Sequence, residues 1–382
     1  MSDKHGVLIL SPFYEPNVGG VETHLKDLTN YLQRVGRYRV YVLTYQSLTT
    51  KSKGASFEKD GDVEIRRIPW IGGNLFHKLE PYPVLEFLYI TPWLFFNTLF
   101  FMFKHRCHIN TIHAQGFNAA FIGRFMSIVF ETKLVISIHA IYSLKSSSVL
   151  AKSIRWILEK ANRVLTLSAR SKEELVKIGL PPDSVEVYTY WVDQEVFKPM
   201  NRLEAKKKVG WEDKFVVLFV GRFIEIKGMD ILLEAAKSIN KEIYFAFIGD
   251  GPLSVYIKEA SERFSNVMFI GKVNNHSLPL YYNAAHMVCV PSQYEEGFGR
   301  VIPEALSCGT PVLASNKGGI PEALDETVGI CVDPTADNLR QIIETLCQTS
   351  EKLQQMQSQC REYALASFSE KNAELIVGSY YG

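Results

Sequence analysis

The feature that most constrains the fold is an alternation of short apolar runs with helical patterns, which occurs twice along the chain. Gly6–Ser11 is typical of a buried strand, and Gly19–Val35 places its apolar side chains on one face of a helix. The second half restarts the pattern with Phe215–Val220 and a helix from about Gly228. Such alternation predicts βαβ units with helices on both faces of a parallel sheet. We therefore expect an α/β protein made of two doubly wound, Rossmann-like domains.

The remaining strands follow from the same pattern. A chain of 382 residues is too long for one ordinary core and suits two domains. We expect the domains to join near Thr189–Met200, with residues 1–190 and 191–355 as the two domains and 356–382 as a C-terminal helix that returns to the first. The other predicted strands are Arg39–Thr44, Val63–Ile68, Asn110–His113, Leu134–His139, Arg163–Ser168, Ile243–Ile248, Val267–Ile270, Met287–Val290 and Pro311–Ala314.

The charge is nearly balanced overall but unevenly distributed. The net charge is +1, yet residues 1–195 hold 23 Lys and Arg against 18 Asp and Glu, and residues 101–180 hold 12 against 4. A basic first half favours an anionic partner, such as a phosphate-bearing substrate or an anionic membrane surface, although a chance excess on a solvated face is the alternative. With so little net charge and no aromatic-basic ribonucleoprotein motif, no nucleic acid is expected as a partner.

The cysteines and the N-terminus point to a reducing compartment. None of the six cysteines forms a C-x-x-C pair or lies near a histidine cluster, which argues against a zinc site and a disulfide framework. The chain opens with Met-Ser-Asp-Lys-His and enters a strand at once, so no signal peptide is expected. We expect a cytoplasmic protein, with a peripheral position on the inner face of the membrane as an open alternative.

One apolar segment, Val84–Phe103, is about long enough to span a bilayer. Glu86, Pro92 and Asn97 interrupt it, and a span in the middle of an α/β domain would break the sheet, so a spanning helix is the least favoured of three interpretations. The others are a helix buried in the domain and a helix in the membrane interface, anchored by aromatic residues and the basic Lys104-His-Arg106 that follows.

Glycines after the first strand form a candidate anion site. Gly19 and Gly20 stand where a loop enters a helix, and exposed N–H groups at a helix start attract anions. A plain loop-to-helix turn is equally compatible with this pair. The chain contains neither G-x-G-x-x-G nor G-x-x-x-x-G-K-[ST], so nicotinamide dinucleotide and P-loop sites lose their main support.

Two cations follow the first strand of the second half. Gly221-Arg222 comes directly after that strand, and Lys227 opens the next helix. A planar Arg fork and a Lys point charge both suit a pyrophosphate, although two solvated surface cations are the alternative. Asp250 follows the next strand in another tight turn, which we expect at the same edge of the sheet.

The most informative segment is Pro291–Pro311, with the sequence PSQYEEGFGRVIPEALSCGTP. Its glycines precede a helix from about Arg300, which again favours an anion. Glu296 lies just outside this helix and Glu304 in its early turns, so their carboxylates suit sugar and ribose hydroxyls; complementing the helix dipole is the alternative. Glu295 is a second acid beside Glu296, and the spacing favours Glu296 as the sugar contact.

The string Glu296…Glu304, with Gly-Phe-Gly inside an E-x7-E spacing, resembles the donor-binding motif of retaining glycosyltransferases of the GT-B fold, above all family 4. Other motifs occur in that family's order, which makes the resemblance run almost end to end. A departure is Tyr190-Trp191, where the family usually carries Asn-Gly. The matching segments are Gly19-Gly20-Val21-Glu22, Val192-Asp193 through Pro199, Gly221-Arg222 through Gly228, Gly249–Pro252, Gly271–Val273 and Cys308–Pro311.

The resemblance implies a role for each matching residue. Arg222 and Lys227 would hold the diphosphate, Glu304 the ribose, and Glu296 the donor sugar. His139 matches a position whose imidazole contacts that sugar near the reacting carbon. The remaining donor-binding positions it implies are Gly19 and Gly20 closing over the phosphates from the first domain, Val273 with its backbone at the base, Phe298 and Gly299 at the sugar, and Gly221, Asp250, Gly297, Arg300 and Val301.

The resemblance also implies a reaction. It predicts two Rossmann-like domains facing a cleft and transfer of a hexose or N-acetylhexosamine from a UDP- or GDP-sugar to an alcohol, with retained configuration. The nucleotide sugar is a substrate, and no cofactor or fixed metal is expected. The basic and aromatic tracts favour a lipid-linked acceptor in polysaccharide or glycolipid synthesis. A soluble synthase acting on a sugar or sugar phosphate, and a non-catalytic nucleotide-sugar binder, are the rivals; the oligomeric state stays open.

Overall fold

The computed structural model describes residues 4–17, 19–49, 52–79, 82–142, 146–239 and 242–381. The chain divides into two compact units. The first unit comprises Met1–Tyr188 with Lys371–Gly382, and the second comprises Thr189–Glu370. Each unit is a mainly parallel sheet covered by helices, which confirms the predicted pair of Rossmann-like α/β domains.

The first unit is built on an eight-stranded sheet in the order β3-β4-β2-β1-β5-β6-β7-β8, in which only β3 runs antiparallel to its neighbour. The central strand β1 reads as an uninterrupted apolar run because helices cover both of its faces. The strands are β1 (His5–Leu10), β2 (Tyr38–Tyr45), β3 (Phe57–Asp60), β4 (Val63–Ile68), β5 (Thr111–Gln115), β6 (Lys133–Ile138), β7 (Arg163–Thr166) and β8 (Val185–Val187). The helices up to this point are α1 (Gly20–Val35), α2 (Phe76–Leu79), α3 (Pro83–His105), α4 (Gly116–Phe130), α5 (Val149–Leu158) and α6 (Ala169–Lys177).

The second unit repeats the design with a fully parallel six-stranded sheet in the order β11-β10-β9-β12-β13-β14. The strands are β9 (Phe215–Val220), β10 (Ile243–Ile248), β11 (Val267–Gly271), β12 (Met287–Val290), β13 (Val312–Ser315) and β14 (Gly329–Val332). The helices are α7 (Arg202–Val209), α8 (Met229–Ser238), α9 (Ser254–Arg263), α10 (Leu278–Ala284), α11 (Val301–Ser307), α12 (Ala336–Gln348) and α13 (Ser350–Ser367).

The chain ends with α14 (Lys371–Gly378), which belongs to the first unit. Beyond it, the fully buried Tyr380 brings its hydroxyl within 2.8 Å of His113 Nδ1 on β5. The other ring nitrogen of His113 lies 2.8 Å from Ser137 Oγ on β6. A hydrogen-bonded chain therefore ties the C-terminal segment to two strands of the first sheet.

The boundaries of the units differ from the predicted ones. The structure places residues 356–370 in the second unit, because α13 packs on α11 and α12 there and buries Leu353, Met356, Cys360 and Ala364. The segment in the first unit thus begins at Lys371 and not at 356, and the second unit begins at Thr189 and not at 191.

The strand predictions fail at three of the four sheet edges. Three strands were not predicted: β3, with the polar sequence FEKD, and the short edge strands β8 and β14. An edge strand is covered on fewer sides, so its sequence lacks the continuous apolar run that marks a central strand. The structure also shifts the strand predicted at Asn110–His113 to β5, which ends at Gln115, and it ends β6 at Ile138, so that His139 lies just beyond the strand.

The apolar helix α3 presents two different faces. One face packs in the core of the first unit and buries Ile90, Leu94, Phe101 and Met102. The other is exposed, with Phe100 75% accessible. Among the described residues, Pro83–His108 is the one helical segment that has the length and composition to cross a membrane. The structure therefore shows a helix with one buried and one exposed face, which is only partly buried in the domain.

We expect the C-terminal segment to stabilise the first unit through His113. Replacing Tyr380 by Phe removes the hydroxyl and leaves a buried ring nitrogen without its partner. This change should lower the free energy of unfolding by about 1–3 kcal/mol, measured by urea titration. Tyr82→Phe, at an exposed position of the same unit, is the control and should stay within about 0.5 kcal/mol of the parent. Equal stability of the Tyr380→Phe and Tyr82→Phe proteins would contradict this role.

Candidate functional site

The candidate site of the second unit lies where the strand order of its sheet reverses. The chain forms β9, β10 and β11 in one direction and then returns to place β12 beside β9. In open parallel sheets this reversal leaves a crevice outside the carboxyl ends of the strands, where ligands bind. Lys227 follows β9 and Glu296 follows β12, and these two side chains form an ion pair at this point.

The Glu296 carboxylate is buried, with 3% of the residue exposed. Its Oε1 accepts hydrogen bonds from Lys227 Nζ and from Ser292 Oγ, the latter at 3.0 Å. Its Oε2 has no partner among the described residues. A buried oxygen without a hydrogen bond is costly, so a hydroxyl of a bound ligand would stabilise it. The absence of a side chain at Gly299 leaves space for such a hydroxyl, because a Cβ at this position would lie 3.0 Å from Glu296 Oε2.

Lys227 is held as a cation. Burial by itself lowers the pKa of Lys227, but the Glu296 carboxylate and the Tyr294 hydroxyl raise it above its usual value overall. Lys227 Nζ lies 3.2 Å from Tyr294 Oη, and burial raises the pKa of that tyrosine to about 12. At neutral pH the site therefore holds one fixed positive charge beside a neutral phenol, an arrangement that suits the oxygens of a diphosphate.

A single glycine lets the two loops approach. Gly228 follows Lys227 with φ +70°, in the left-handed region that favours glycine. A Cβ at this position would collide with the backbone carbonyl oxygen of Pro291 at the end of β12. The absence of a side chain at Gly228 thus brings the β9 loop against the β12 loop and allows Lys227 to reach Glu296.

The two adjacent acids have different contacts. Glu295 Oε2 accepts a hydrogen bond of 2.8 Å from the Gly318 N–H, in the loop that follows β13. The Glu296 backbone carbonyl accepts from Gly319 N–H at 2.7 Å, while its side chain turns to Lys227. Glu295 therefore holds the loop in place, and the structure puts Glu296 beside Lys227; that Glu296 contacts the donor sugar stays a prediction.

Glu304 lies in α11 and is only 5% exposed. Its Oε2 accepts a hydrogen bond of 2.8 Å from the Tyr282 hydroxyl, and its Oε1 lies 3.2 Å from Arg300 Nε. Arg300 also donates to the Trp191 carbonyl at 3.4 Å. Both oxygens of the predicted ribose ligand have a protein partner, and each oxygen can accept a second hydrogen bond. The ribose contact stays a prediction.

Two further residues that were predicted to contact the donor have side chains that make contacts within the protein. Asp250 Oδ1 accepts from Gly251 N–H at 2.8 Å and from Ser254 Oγ at 2.9 Å, which forms the turn before α9. Phe298 is 1% exposed and its ring packs edge-on against Tyr190 and Phe368. The Phe298 ring and one Asp250 oxygen therefore shape the loops, and the donor contacts expected of these two residues stay predictions.

The aromatic packing of Phe298 also accounts for Tyr190-Trp191, which replaces the Asn-Gly of the related motif. Tyr190 and Trp191 are 4% and 2% exposed. Tyr190 packs on Phe298, and the Trp191 carbonyl accepts from Arg300. Both residues anchor the loop that carries Glu296.

The other predicted positions lie at the same edge of this sheet. Gly221 and the exposed Arg222 follow β9, Val273 follows β11 and is partly buried, Gly297 lies between β12 and α11, and Val301 begins α11. Within the described part of the chain, no group of three or more His, Cys, Asp or Glu side chains is arranged to hold a metal ion.

The first unit has its own reversal of strand order, between β1 and β5. Gly19 and Gly20 follow β1 and begin α1, as predicted. The carboxylate of Glu22 in the first turn lies beside Gly19, so that a Cβ at Gly19 would collide with it. A carboxylate already complements the positive end of this helix, and a phosphate binding here would share that end with Glu22.

His139 lies at the carboxyl edge of the same sheet. Its Nε2 lies 2.8 Å from Gln115 Oε1. The centroid of its ring lies 5.8 Å from the centroid of the His24 ring. Burial lowers the pKa of His139 to about 4, so the ring is neutral at physiological pH. Gln115 is 3% exposed, and its Nε2 has no partner among the described residues.

The sequence interpretation missed several of these residues. Ser292 and Tyr294 lie within the segment that it singled out and touch its main acid and its main cation. Tyr282 and Gln115 had no motif to mark them. The position of Gln115 at the end of a strand beside a predicted site was the one available signal.

Both halves of the chain match models of known protein families. Residues 18–196 match the model described as Glycosyltransferase Family 4, and residues 201–364 match the one described as Glycosyl transferases group 1. The two matches follow the two units in order and leave little of the chain outside them. With a GT-B fold of two Rossmann-like domains, the chain belongs to the group 1 and family 4 glycosyltransferases.

Individual relatives agree with this assignment. The chain is 30% identical to a D-inositol 3-phosphate glycosyltransferase of Kribbella flavida over 62% of this chain and 63% of that protein. It is 25% identical to a component of the human phosphatidylinositol N-acetylglucosaminyltransferase over 91% of this chain and 68% of that protein. The crystal structure of Anabaena HepE in complex with UDP matches 99% of both chains with a TM-score of 0.78 at 21% identity, which shows the shared fold.

We expect the free energy of unfolding to fall as the pH is lowered, and we expect His139 to contribute to this fall. The unfolded imidazole takes up a proton near pH 6.5, whereas the folded one resists protonation until about pH 4. The unfolded state therefore binds more protons in this window, and the free energy of unfolding should fall as pH drops from 6.5 towards 4. His139→Gln should flatten this slope, measured by urea titration at pH 7.5, 6 and 5. An unchanged slope would contradict the buried neutral ring.

A matched pair of variants tests the assignment of the two adjacent acids. Glu296→Gln removes the negative charge beside Lys227 with almost no change in shape, and we expect glycosyl transfer to fall by at least about 100-fold. Glu295→Gln keeps an oxygen that can accept from Gly318 N–H, and should retain activity within about threefold. Initial rates with a verified donor and acceptor give the measurement. The reverse order of the two effects would refute the assignment.

Proposed function

We propose that the enzyme transfers a hexose or N-acetylhexosamine from a UDP- or GDP-sugar to the hydroxyl of a lipid-linked acceptor, with retention of anomeric configuration and without a fixed metal. The observation that carries this proposal is the ion pair between Lys227 and Glu296 at the point of strand reversal. It combines a fixed cation for a diphosphate with a buried carboxylate oxygen for a sugar hydroxyl. HepE, which has the same fold, was solved with UDP.

The donor would bind by exchanging partners. Lys227 would donate to a diphosphate oxygen while it keeps part of its contact with Glu296, and the free Oε2 would accept a hydrogen bond from a donor-sugar hydroxyl. Arg222, exposed directly after β9, adds a second cation at the same sheet edge. These cations stabilise the charge that the diphosphate gains as its bond to the sugar breaks.

The transfer step would take place on one face of the sugar. The bond from the anomeric carbon to the diphosphate oxygen breaks, and the acceptor oxygen forms its bond on that same face. The acceptor proton passes to an oxygen of the leaving diphosphate. We assign neutral His139 to a hydrogen bond with the donor sugar, because its depressed pKa makes it a poor general acid at neutral pH.

For the acceptor, we favour a lipid-linked alcohol. The human relative is named for a phosphatidylinositol substrate, and the match to it covers 91% of this chain. The exposed apolar face of α3 fits an enzyme that works at a membrane surface, and we place it in the cytoplasm as a peripheral protein on the inner face of the membrane.

A second candidate function is that of a soluble synthase acting on a sugar or sugar phosphate. The Kribbella relative is named for D-inositol 3-phosphate, and the basic tract of residues 101–180 suits an acceptor phosphate. A panel of water-soluble sugar phosphates and short-chain lipid phosphates, assayed with one verified donor, separates the two acceptor classes.

The donor site predicts a pattern of thermal stabilisation. The cognate nucleotide at a hundred times its Kd should add about 2.7 kcal/mol of stability, and the other nucleotides much less. Lys227→Ala should abolish this shift together with donor hydrolysis and transfer, and Glu304→Ala should do the same. Lys237→Ala removes an exposed ion pair with Glu234 in the same unit and is the matched control. Full activity of Lys227→Ala and Glu304→Ala on a verified substrate would contradict the proposal.

A further inference from the structure

The outer face of α3 is an uninterrupted apolar stripe. Phe87–Phe103 contains no charged residue, and the exposed side chains recur every three or four positions, so they lie along one side of the helix. Phe96, Phe100 and Phe103 are 61%, 75% and 60% exposed. Large exposed aromatic side chains in a row are uncommon on soluble domains and mark an interaction site. The exposed apolar residues of α3 are Val84, Leu85, Leu88, Phe96, Phe100 and Phe103.

Two neighbouring helices extend this stripe into a surface. α3 and α4 run side by side in the same direction, joined by ring contacts between Phe87 and Phe121, Phe95 and Phe125, and Phe103 and Phe130. α5 packs on the other side of α4, where Trp156 meets Phe121 and Phe125. We call the outer side of α3, α4 and α5 the three-helix face. Its further exposed apolar residues are Ile128, Val129, Val149, Leu150 and Trp156.

The helix cannot use this face by spanning a bilayer. Its inner side buries Ile90, Leu94 and Met102 against the sheet, and the Tyr45 hydroxyl on β2 donates to the Ile90 carbonyl. A spanning orientation would expose this core to lipid and pull α3 from the sheet. A helix that stays on the domain can offer lipid only its outer side, so it must lie in the plane of the interface.

The charges beside the three-helix face have one predominant sign. Lys104 and Arg106 are exposed at the C-terminal end of α3, and Lys152 and Arg155 are exposed on α5. This fringe belongs to the tract 101–180, with its 12 basic and 4 acidic residues. Basic side chains around an apolar aromatic surface match lipid head groups that carry negative charge. Face-to-face pairing of two copies would instead bring like charges together.

We propose that the three-helix face docks the enzyme on an anionic lipid bilayer, with α3 parallel to the membrane plane and its phenylalanines inserted at the level of the head groups. This inference deepens the proposed function and rests on it in one respect, since docking presents the enzyme to a lipid-linked acceptor. The docking itself depends on neither the donor nor the transfer step and is tested separately from them.

The first test measures binding to vesicles. Wild-type protein should co-sediment with vesicles of equal parts phosphatidylcholine and phosphatidylglycerol at low salt, and more weakly with phosphatidylcholine alone. The Phe96→Ser, Phe100→Ser, Phe103→Ser triple variant should lose at least about tenfold in partitioning, because each side chain no longer buries apolar area. The matched control replaces two exposed apolar residues of the second unit, Leu203→Ser and Val255→Ser, and should bind as the parent does.

The second test reads the position of the helix directly. Cys107 is exposed one turn beyond Phe103, whereas the other five cysteines are buried or partly buried. An environment-sensitive fluorophore on Cys107 should shift to the blue on anionic vesicles and remain unshifted with phosphatidylcholine at high salt. The Cys107→Ser protein controls for labelling elsewhere. An unshifted probe on bound protein would overturn the orientation that we assign.

The outcomes separate this inference from the proposed function. The triple variant should keep the nucleotide-induced thermal shift of the parent, so loss of vesicle binding with an intact shift supports docking through the three-helix face. Vesicle binding equal to that of the parent overturns it. Size-exclusion chromatography without lipid covers the remaining case: a dimer that the triple variant dissociates would assign this face to a second copy and overturn the proposal. Absence of any nucleotide shift in the parent would refute the donor site alone.

Discussion

A carboxylate that is 3% exposed is stable in a protein only beside a cation, and this constraint shapes the second unit. Glu296 has Lys227 as that cation, and the two residues come from loops that only the reversal between β9 and β12 brings together. Gly228 permits the close approach, and Phe298 with its aromatic neighbours fixes the loop of Glu296. These contacts hold the Lys227 and Glu296 side chains in one arrangement.

The sequence predicted the central strands well but missed three of the four edge strands, whereas the edge strand β11 was predicted to within one residue. β9, β10 and β12 begin and end at the predicted residues, because a strand covered on both faces needs a continuous apolar run. The sequence did not predict the pairing of Lys227 with Glu296. These residues are 69 positions apart, and their contact depends on strand order, which local periodicity does not encode.

Side-chain partners explain the other differences at the site. Glu304 and Asp250 stay predicted donor ligands; in the structure Tyr282 and Arg300 contact the first, and a local turn uses one oxygen of the second. Gln115 was not predicted because an uncharged amide at a strand end belongs to no motif. It became visible only when β5 and β6 placed it beside His139, with one buried amide nitrogen that has no partner within the described ranges.

Helix α3 shows where periodicity fails for a physical reason. A helix apolar on all sides gives no hydrophobic period, so the sequence predicts neither which face is buried nor what the other face meets. The structure assigns one face to the core of the first unit. The adjoining α4 starts at Gly116, directly after Gln115, and runs beside α3 for its whole length of about 20 Å. The N-cap of α4, Gln115, is therefore also the side chain beside His139, so the first unit's site and the three-helix face are linked through one helix.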